Sequence, residues 1–172
     1  MQIYTGKSVE SDSSAGLCTR VVLDLMSGLE KDGYDLYTDN YYTSPLLYTS
    51  LYWKGVNACG TMRVNRKGFP TDLVHTRKDK TRGFYDHCSN GPLLAAVWFD
   101  RRFIYFLSTI HQAEATTPTM VKWRNIDGTQ DDVICPPLLP DYQQYMRGVD
   151  RGDQMIGCYN VGRHPKKWWK RV

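Results

Sequence analysis

Leu17, Val21, Leu25 and Leu29 recur every four residues, and the segments on either side of them read as strands. This double switch of hydrophobic period constrains the chain more than any other feature. Spacing of four, with Val22 and Met26 alongside, specifies an amphipathic helix, which Asp32-Gly33 ends. Before it, Gln2 to Tyr4 reads as a strand closed by Thr5-Gly6-Lys7. After it, Tyr34 to Thr38 reads as a short strand ending at Asp39-Asn40. Ser44-Pro45 supplies an N-cap and a first helical position for a helix reaching about Lys54, and Gly55 closes it. Asn57 to Met62 reads as another strand. Residues 2–62 are therefore β-α-β-α-β, the pattern of a sheet covered by helices.

The pattern then changes. Gly83 to Ser89, Leu93 to Phe99 and Phe103 to Thr109 are strand-like, separated by Asn90-Gly91-Pro92 and Asp100-Arg101-Arg102. That spacing predicts an antiparallel meander. Thr119 to Arg124 is a further strand candidate, and Asp127-Gly128 with Asp131-Asp132 reads as a turn. Cys135-Pro136-Pro137 breaks the chain, and helix is expected from about Asp141 to Tyr159 with an interruption near Gly148.

The composition, 41% hydrophobic and 23% charged over 172 residues, excludes collagen, coiled coil and wholesale disorder. The longest uncharged apolar run, Leu93 to Phe99, is far short of the ~18 residues of a membrane span. Met1 to Lys7 carries neither a basic nor an apolar region of the signal-peptide kind, so none is expected. The cysteines (Cys18, Cys59, Cys88, Cys135, Cys158) are widely spaced, without a Cys-x-x-Cys pair, and read as free thiols of a reducing compartment.

Two features of the charge point further. All but three of the 18 acidic residues are Asp; the exceptions are Glu10, Glu30 and Glu114. Aspartate serves turns, caps and hard-metal sites, and composition alone leaves these readings open. The net charge of +4 is carried by Arg163, Lys166, Lys167, Lys170 and Arg171 near the C-terminus, leaving the remainder close to balance. Together with Trp168 these cations suit phosphate contact and base stacking, or equally a solvated segment with a packed tryptophan.

Asp39 stands where a strand meets its loop, the place ligands collect in α/β sheets, although an Asx-turn explains it as well. Asp150 and Asp153 share a helix face and repel unless a cation lies between them. A solvated helix start favours aspartate too. It does not explain Gly148 and Gly152, which cost a helix about 1 kcal/mol each. Close approach of metal or phosphate would. Nucleophile-elbow, zincin, phosphate-loop and dinucleotide motifs are missing, and His75 and His111 have no companion at metal spacing.

These segments together resemble a known family. Tyr37-Thr38-Asp39-Asn40-Tyr41-Tyr42-Thr43-Ser44-Pro45-Leu46 resembles the second-aspartate motif of piggyBac-family transposases, and Gly60-Thr61-Met62-Arg63-Val64-Asn65-Arg66-Lys67-Gly68-Phe69-Pro70 is similar to the segment after it. Arg147-Gly148-Val149-Asp150-Arg151-Gly152-Asp153-Gln154 resembles the third-aspartate motif, and Tyr159 to Trp169 the stretch that follows. The resemblance implies an RNase-H-like α/β fold, a mixed sheet flanked by helices. It divides the chain into a partial core at 1–62, a β-rich antiparallel insertion at 63–137, and a helical part of the core at 138–172. It implies a nuclear DNA transposase with two Mg²⁺ ions held by three Asp, cutting and joining phosphodiesters at TTAA targets, with a homodimer in the full-length family. Asp39 and Asp150 match the second and third carboxylates, with Asp153 adjacent, as catalytic and metal-holding residues. Arg163, Lys166, Lys167, Trp168, Lys170 and Arg171 are the expected DNA contacts.

The chain departs from the family at its start. The first Asp of the triad belongs on a strand upstream of Tyr4-Thr5-Gly6-Lys7, and no Asp precedes Asp12. The core is expected to be N-terminally incomplete and inactive alone. The readings are a catalytic-domain fragment, a decayed or domesticated DNA-binding derivative without catalysis, and a transposon relic.

Overall fold

In the computed structural model the described residues are 16–76, 81–112, 119–124 and 127–158. The strand expected at Gln2 to Tyr4 lies outside them. The chain runs α1 (Leu17–Leu25), β1 (Asp35–Thr38), α2 (Pro45–Trp53), β2 (Asn57–Thr61), a 3-10 turn (Thr71–Leu73), β3 (Tyr85–Asn90), β4 (Leu93–Phe99), β5 (Phe103–Ser108), β6 (Thr119–Arg124), β7 (Gln130–Cys135), α3 (Leu138–Tyr145) and α4 (Gly148–Cys158). A five-stranded sheet has the order β1-β2-β5-β4-β3, and β6-β7 form a two-stranded sheet. β1 and β2 pair in parallel across α2, while β5, β4 and β3 continue the sheet antiparallel. The sheet is therefore mixed, as expected. It is continuous across residue 62, because β2 bonds directly to β5.

Alternate residues feed two cores. Ala58, Ala95, Val97 and Leu107 face one side, where Val22 of α1, Met26 just after it, and Leu47, Tyr48 and Leu51 of α2 cover them. Cys59, Leu94, Ala96, Trp98 and Phe106 face the other, under Val133 and Cys135 of β7 and Leu138, Leu139 and Tyr142 of α3. This is the period of two of a strand covered on both faces, and it explains why Leu93 to Phe99 is an unbroken apolar run. The Trp98 indole Nε1 donates to the Ile134 carbonyl at 2.9 Å, tying the large sheet to the small one.

Three elements differ from the sequence reading. α1 stops at Leu25 rather than near Leu29, because Gly28 turns the backbone left-handed (φ +86°) and the Leu29 amide bonds back to Met26. Asp131 and Asp132 lie on β7, opposite Trp123 and Lys122, not in the turn. The turn is Asp127-Gly128 alone, where the Asp127 carboxylate accepts from the Thr129 amide at 3.0 Å. α3 begins at Leu138 rather than Asp141. Pro136 and Pro137 sit at its entrance, where a missing N–H costs nothing.

Burial of Cys59 has a consequence in alkali. Its thiol is pushed up from the usual 9.0 to about 12 by desolvation, against a hydrogen bond from Ser108 that lowers it. Burial pushes Cys135 the same way, to about 11. An unfolded chain ionises these thiols near their ordinary value, while the folded one keeps the protons. Stability is therefore whole below the unfolded value and declines as pH rises above it, by about 1 kcal/mol for Cys59 near pH ~10. Urea midpoints at about pH 8 and about pH 10 should differ accordingly. Cys59→Val should shrink that difference, and an equal drop in the variant would refute the assignment.

Candidate functional site

β1 and β2 run parallel in register, Thr38 beside Gly60, so both end at one edge of the sheet. Asp39 is the first residue off β1 and is exposed. Its Oδ1 accepts from the Tyr41 amide at 3.0 Å and the Tyr42 amide at 3.4 Å. The Asx-turn reading thus holds for one carboxylate oxygen. The Asp39 carbonyl accepts from the Thr43 amide at 3.1 Å and the Thr43 hydroxyl at 2.7 Å. Ser44 caps α2 through the Leu47 amide at 3.2 Å, with Pro45 at the first helical position, as the sequence specifies.

Beneath this loop three hydroxyls meet in the core. Thr38 Oγ1 lies 2.8 Å from Thr43 Oγ1 and 2.8 Å from the Tyr48 hydroxyl. Gly60 leaves them their room: a Cβ there would stand 2.3 Å from the Thr38 carbonyl, 2.5 Å from the Tyr48 hydroxyl and 2.7 Å from Thr43 Oγ1. On the outside, Arg63 Nε donates to Asn40 Oδ1 at 2.9 Å, and the Arg66 guanidinium donates to the carbonyls of Asn40 and Tyr41. The sequence marked Asp39 but not this support, since residues five apart on a strand, a loop and a helix give no periodic signal.

α3 packs beside the end of β2. Tyr142 is buried against Phe106, with its hydroxyl 3.4 Å from Thr61 Oγ1 at the end of β2. Desolvation pushes that hydroxyl's pKa up, the Thr61 hydrogen bond lowers it, and the charges of Asp39, Cys59 and Asp150 raise it further. Asp153 follows one turn beyond Asp150, also exposed. Gly148 and Gly152 have open space where a Cβ would stand, so no packing among the described residues requires them. No group of three or more His, Cys, Asp or Glu among the described residues could hold a metal ion. The candidates Arg163, Lys166, Lys167, Trp168, Lys170 and Arg171 lie outside the described residues.

The two histidines do have partners. His111 Nε2 is 3.0 Å from Asp141, and His75 Nε2 is 2.9 Å from Asp86. Ser108 Oγ accepts from the amides of Ile110 and His111, at 3.1 and 3.2 Å, and lies 2.9 Å from His111 Nδ1. This cluster ties the end of β5 to α3. Ser108 is fully buried, so the group is structural.

A family model described as Transposase IS4 matches residues 1–172. The chain belongs to this transposase family, in its piggyBac branch. It is 28% identical over 166 residues to human PiggyBac transposable element-derived protein 2, covering 92% of this chain and 28% of that protein. It is 27% identical over 179 residues to human PiggyBac transposable element-derived protein 3, covering 98% of this chain and 29% of that one. The transposase-family chain thus spans under a third of these relatives. Among solved structures, a piggyBac transposase synaptic complex with hairpin DNA matches with a TM-score of 0.73 and 23% identity, over 96% of this chain and 32% of that one. The likeness establishes the RNase-H-like fold. No helix among the described residues is long and apolar enough to cross a membrane.

Proposed function

We propose that the chain forms part of the catalytic surface of a piggyBac-type DNA transposase, with Asp39 and Asp150 as metal-holding carboxylates and Asp153 beside them. The reading is carried by the family match along the whole chain, together with the place of Asp39 where the parallel strands β1 and β2 end. The donor set suits Mg²⁺, a hard ion that takes oxygen ligands and usually one or two protein carboxylates. Asp39 and Asp150 would hold the metal, which when bound would supply activation of water and of a DNA 3′-hydroxyl for attack on a phosphodiester. The chain's own part is to present the carboxylates: the Asx-turn fixes Asp39, and α4 carries Asp150 and Asp153 on one face. DNA is the proposed partner, contacted by Arg163, Lys166, Lys167, Trp168, Lys170 and Arg171. TTAA targets, a homodimer and a nuclear location are proposed with it, as the resemblance implies.

The test is Mn²⁺ binding by the 172-residue chain, followed by water-proton relaxation. Asp39→Ala and Asp150→Ala should each weaken binding at least about tenfold. Unchanged affinity in both would overturn the metal reading. The chain alone is expected not to cleave a transposon-end duplex in Mg²⁺, and cleavage dependent on Asp150 would overturn that expectation. A salt-dependent gel shift that survives Asp150→Ala and falls with Lys166→Ala/Lys167→Ala would favour a DNA-binding protein without catalysis.

A further inference from the structure

The hydroxyls beneath the Asp39 loop form a chain with one direction. A carbonyl can only accept, so the Thr43 proton is committed to the Asp39 carbonyl, 2.7 Å away. Thr38 must then donate in its 2.8 Å bond to Thr43. With that proton used, Tyr48 must donate, to Thr38 at 2.8 Å and more weakly to Thr43 Oγ1 at 3.4 Å. The order is Tyr48 to Thr38 to Thr43 to the Asp39 carbonyl, and all three side chains are buried. Hydrogen bonds in series polarise one another in such a low-dielectric setting.

We propose that Tyr48, Thr38 and Thr43 are positioning residues for Asp39, fixing its peptide so that the carboxylate leaves the strand end in one orientation. Gly60 keeps open the space the chain needs. At the other end of the same residue, the amides of Tyr41 and Tyr42 hold Oδ1, and among the described residues no hydrogen bond takes up Oδ2. Asp39 is thus gripped at its carbonyl and at one carboxylate oxygen. The inference rests on the reading of Asp39 as a metal-holding carboxylate.

The experiment is an MnCl₂ titration of the full chain, read by water-proton relaxation, with the Asp39 carbonyl ¹³C shift as a second readout. Thr43→Val retains the backbone amide bond and removes only the hydroxyl. It should weaken Mn²⁺ binding about tenfold or more and move the Asp39 carbonyl shift, and Thr43→Ser should restore both. Tyr48→Phe keeps the ring in the core and removes the first donor. It should shift both readouts in the same direction by less. Leu51→Ala loosens α2 without touching a hydroxyl and should leave Mn²⁺ affinity unchanged while the protein is folded. Wild-type affinity in Thr43→Val and Tyr48→Phe, with loss in Asp39→Ala, would overturn the positioning role and leave the metal reading standing. Wild-type affinity in Asp39→Ala would overturn the metal reading, and this inference with it.

Discussion

Gly60→Ala is expected to destabilise the chain by about 3 kcal/mol or more, at the upper end of what one added methyl does in a core. Its Cβ would stand within 2.3 Å of the Thr38 carbonyl and 2.5 Å of the Tyr48 hydroxyl. Neither obstacle can move cheaply. The carbonyl belongs to β1, in register with β2 at this very position. The hydroxyl belongs to a ring with 0% exposure. Relief would have to come from separating the two strands or withdrawing Tyr48, and withdrawal leaves buried hydroxyls unpaired at about 1–3 kcal/mol each. Urea unfolding followed by far-UV circular dichroism measures the loss. A midpoint equal to wild type would show that this edge of the sheet is looser than described.

Trp98→Ala should cost about 3–5 kcal/mol, the range for large aromatic truncations. Trp98 is 1% exposed and sits in the core between β4 and the β6-β7 sheet, with Trp123 edge-on to it at 6.3 Å. Trp98→Phe separates packing from hydrogen bonding. It keeps most of the apolar volume and abandons the 2.9 Å bond to the Ile134 carbonyl. Its expected loss is about 1–3 kcal/mol, the cost of a buried acceptor left alone. If Trp98→Ala and Trp98→Phe lose equally, the hydrogen bond dominates; a loss below about 1 kcal/mol in both would contradict the packing described.

Much of the frame was legible because the signals are local. Ser44-Pro45 announces a helix start by capping chemistry, and the structure places both residues there. The apolar stretch Leu93 to Phe99 announces a strand, and β4 is one, with both faces buried in the structure. At β7 local chemistry and tertiary context disagree. Asp131-Asp132 resembles a turn, yet pairing with Trp123 and Lys122 draws both into a strand whose Val133 and Cys135 face the core. The proposed site is legible at Asp39 and Asp150, which lie in dense motifs. It was not legible at Tyr142, Thr61 or Tyr48, because a tyrosine or threonine that is merely buried and one that braces a carboxylate have the same local sequence.

The double-sided burial of β4 limits how this domain can change its length. Trp98 and Val97 belong to different cores, as do Ala96 and Ala95. One residue inserted within the strand would exchange every side chain beyond it between the two cores at once. No compensating substitution at a single position could repair both. Insertions in this family should therefore collect at the flanking turns, Asn90-Gly91-Pro92 and Asp100-Arg101-Arg102, while the strand between them keeps a fixed count. The meander behaves as a ruler: lineages can lengthen its ends but not its middle.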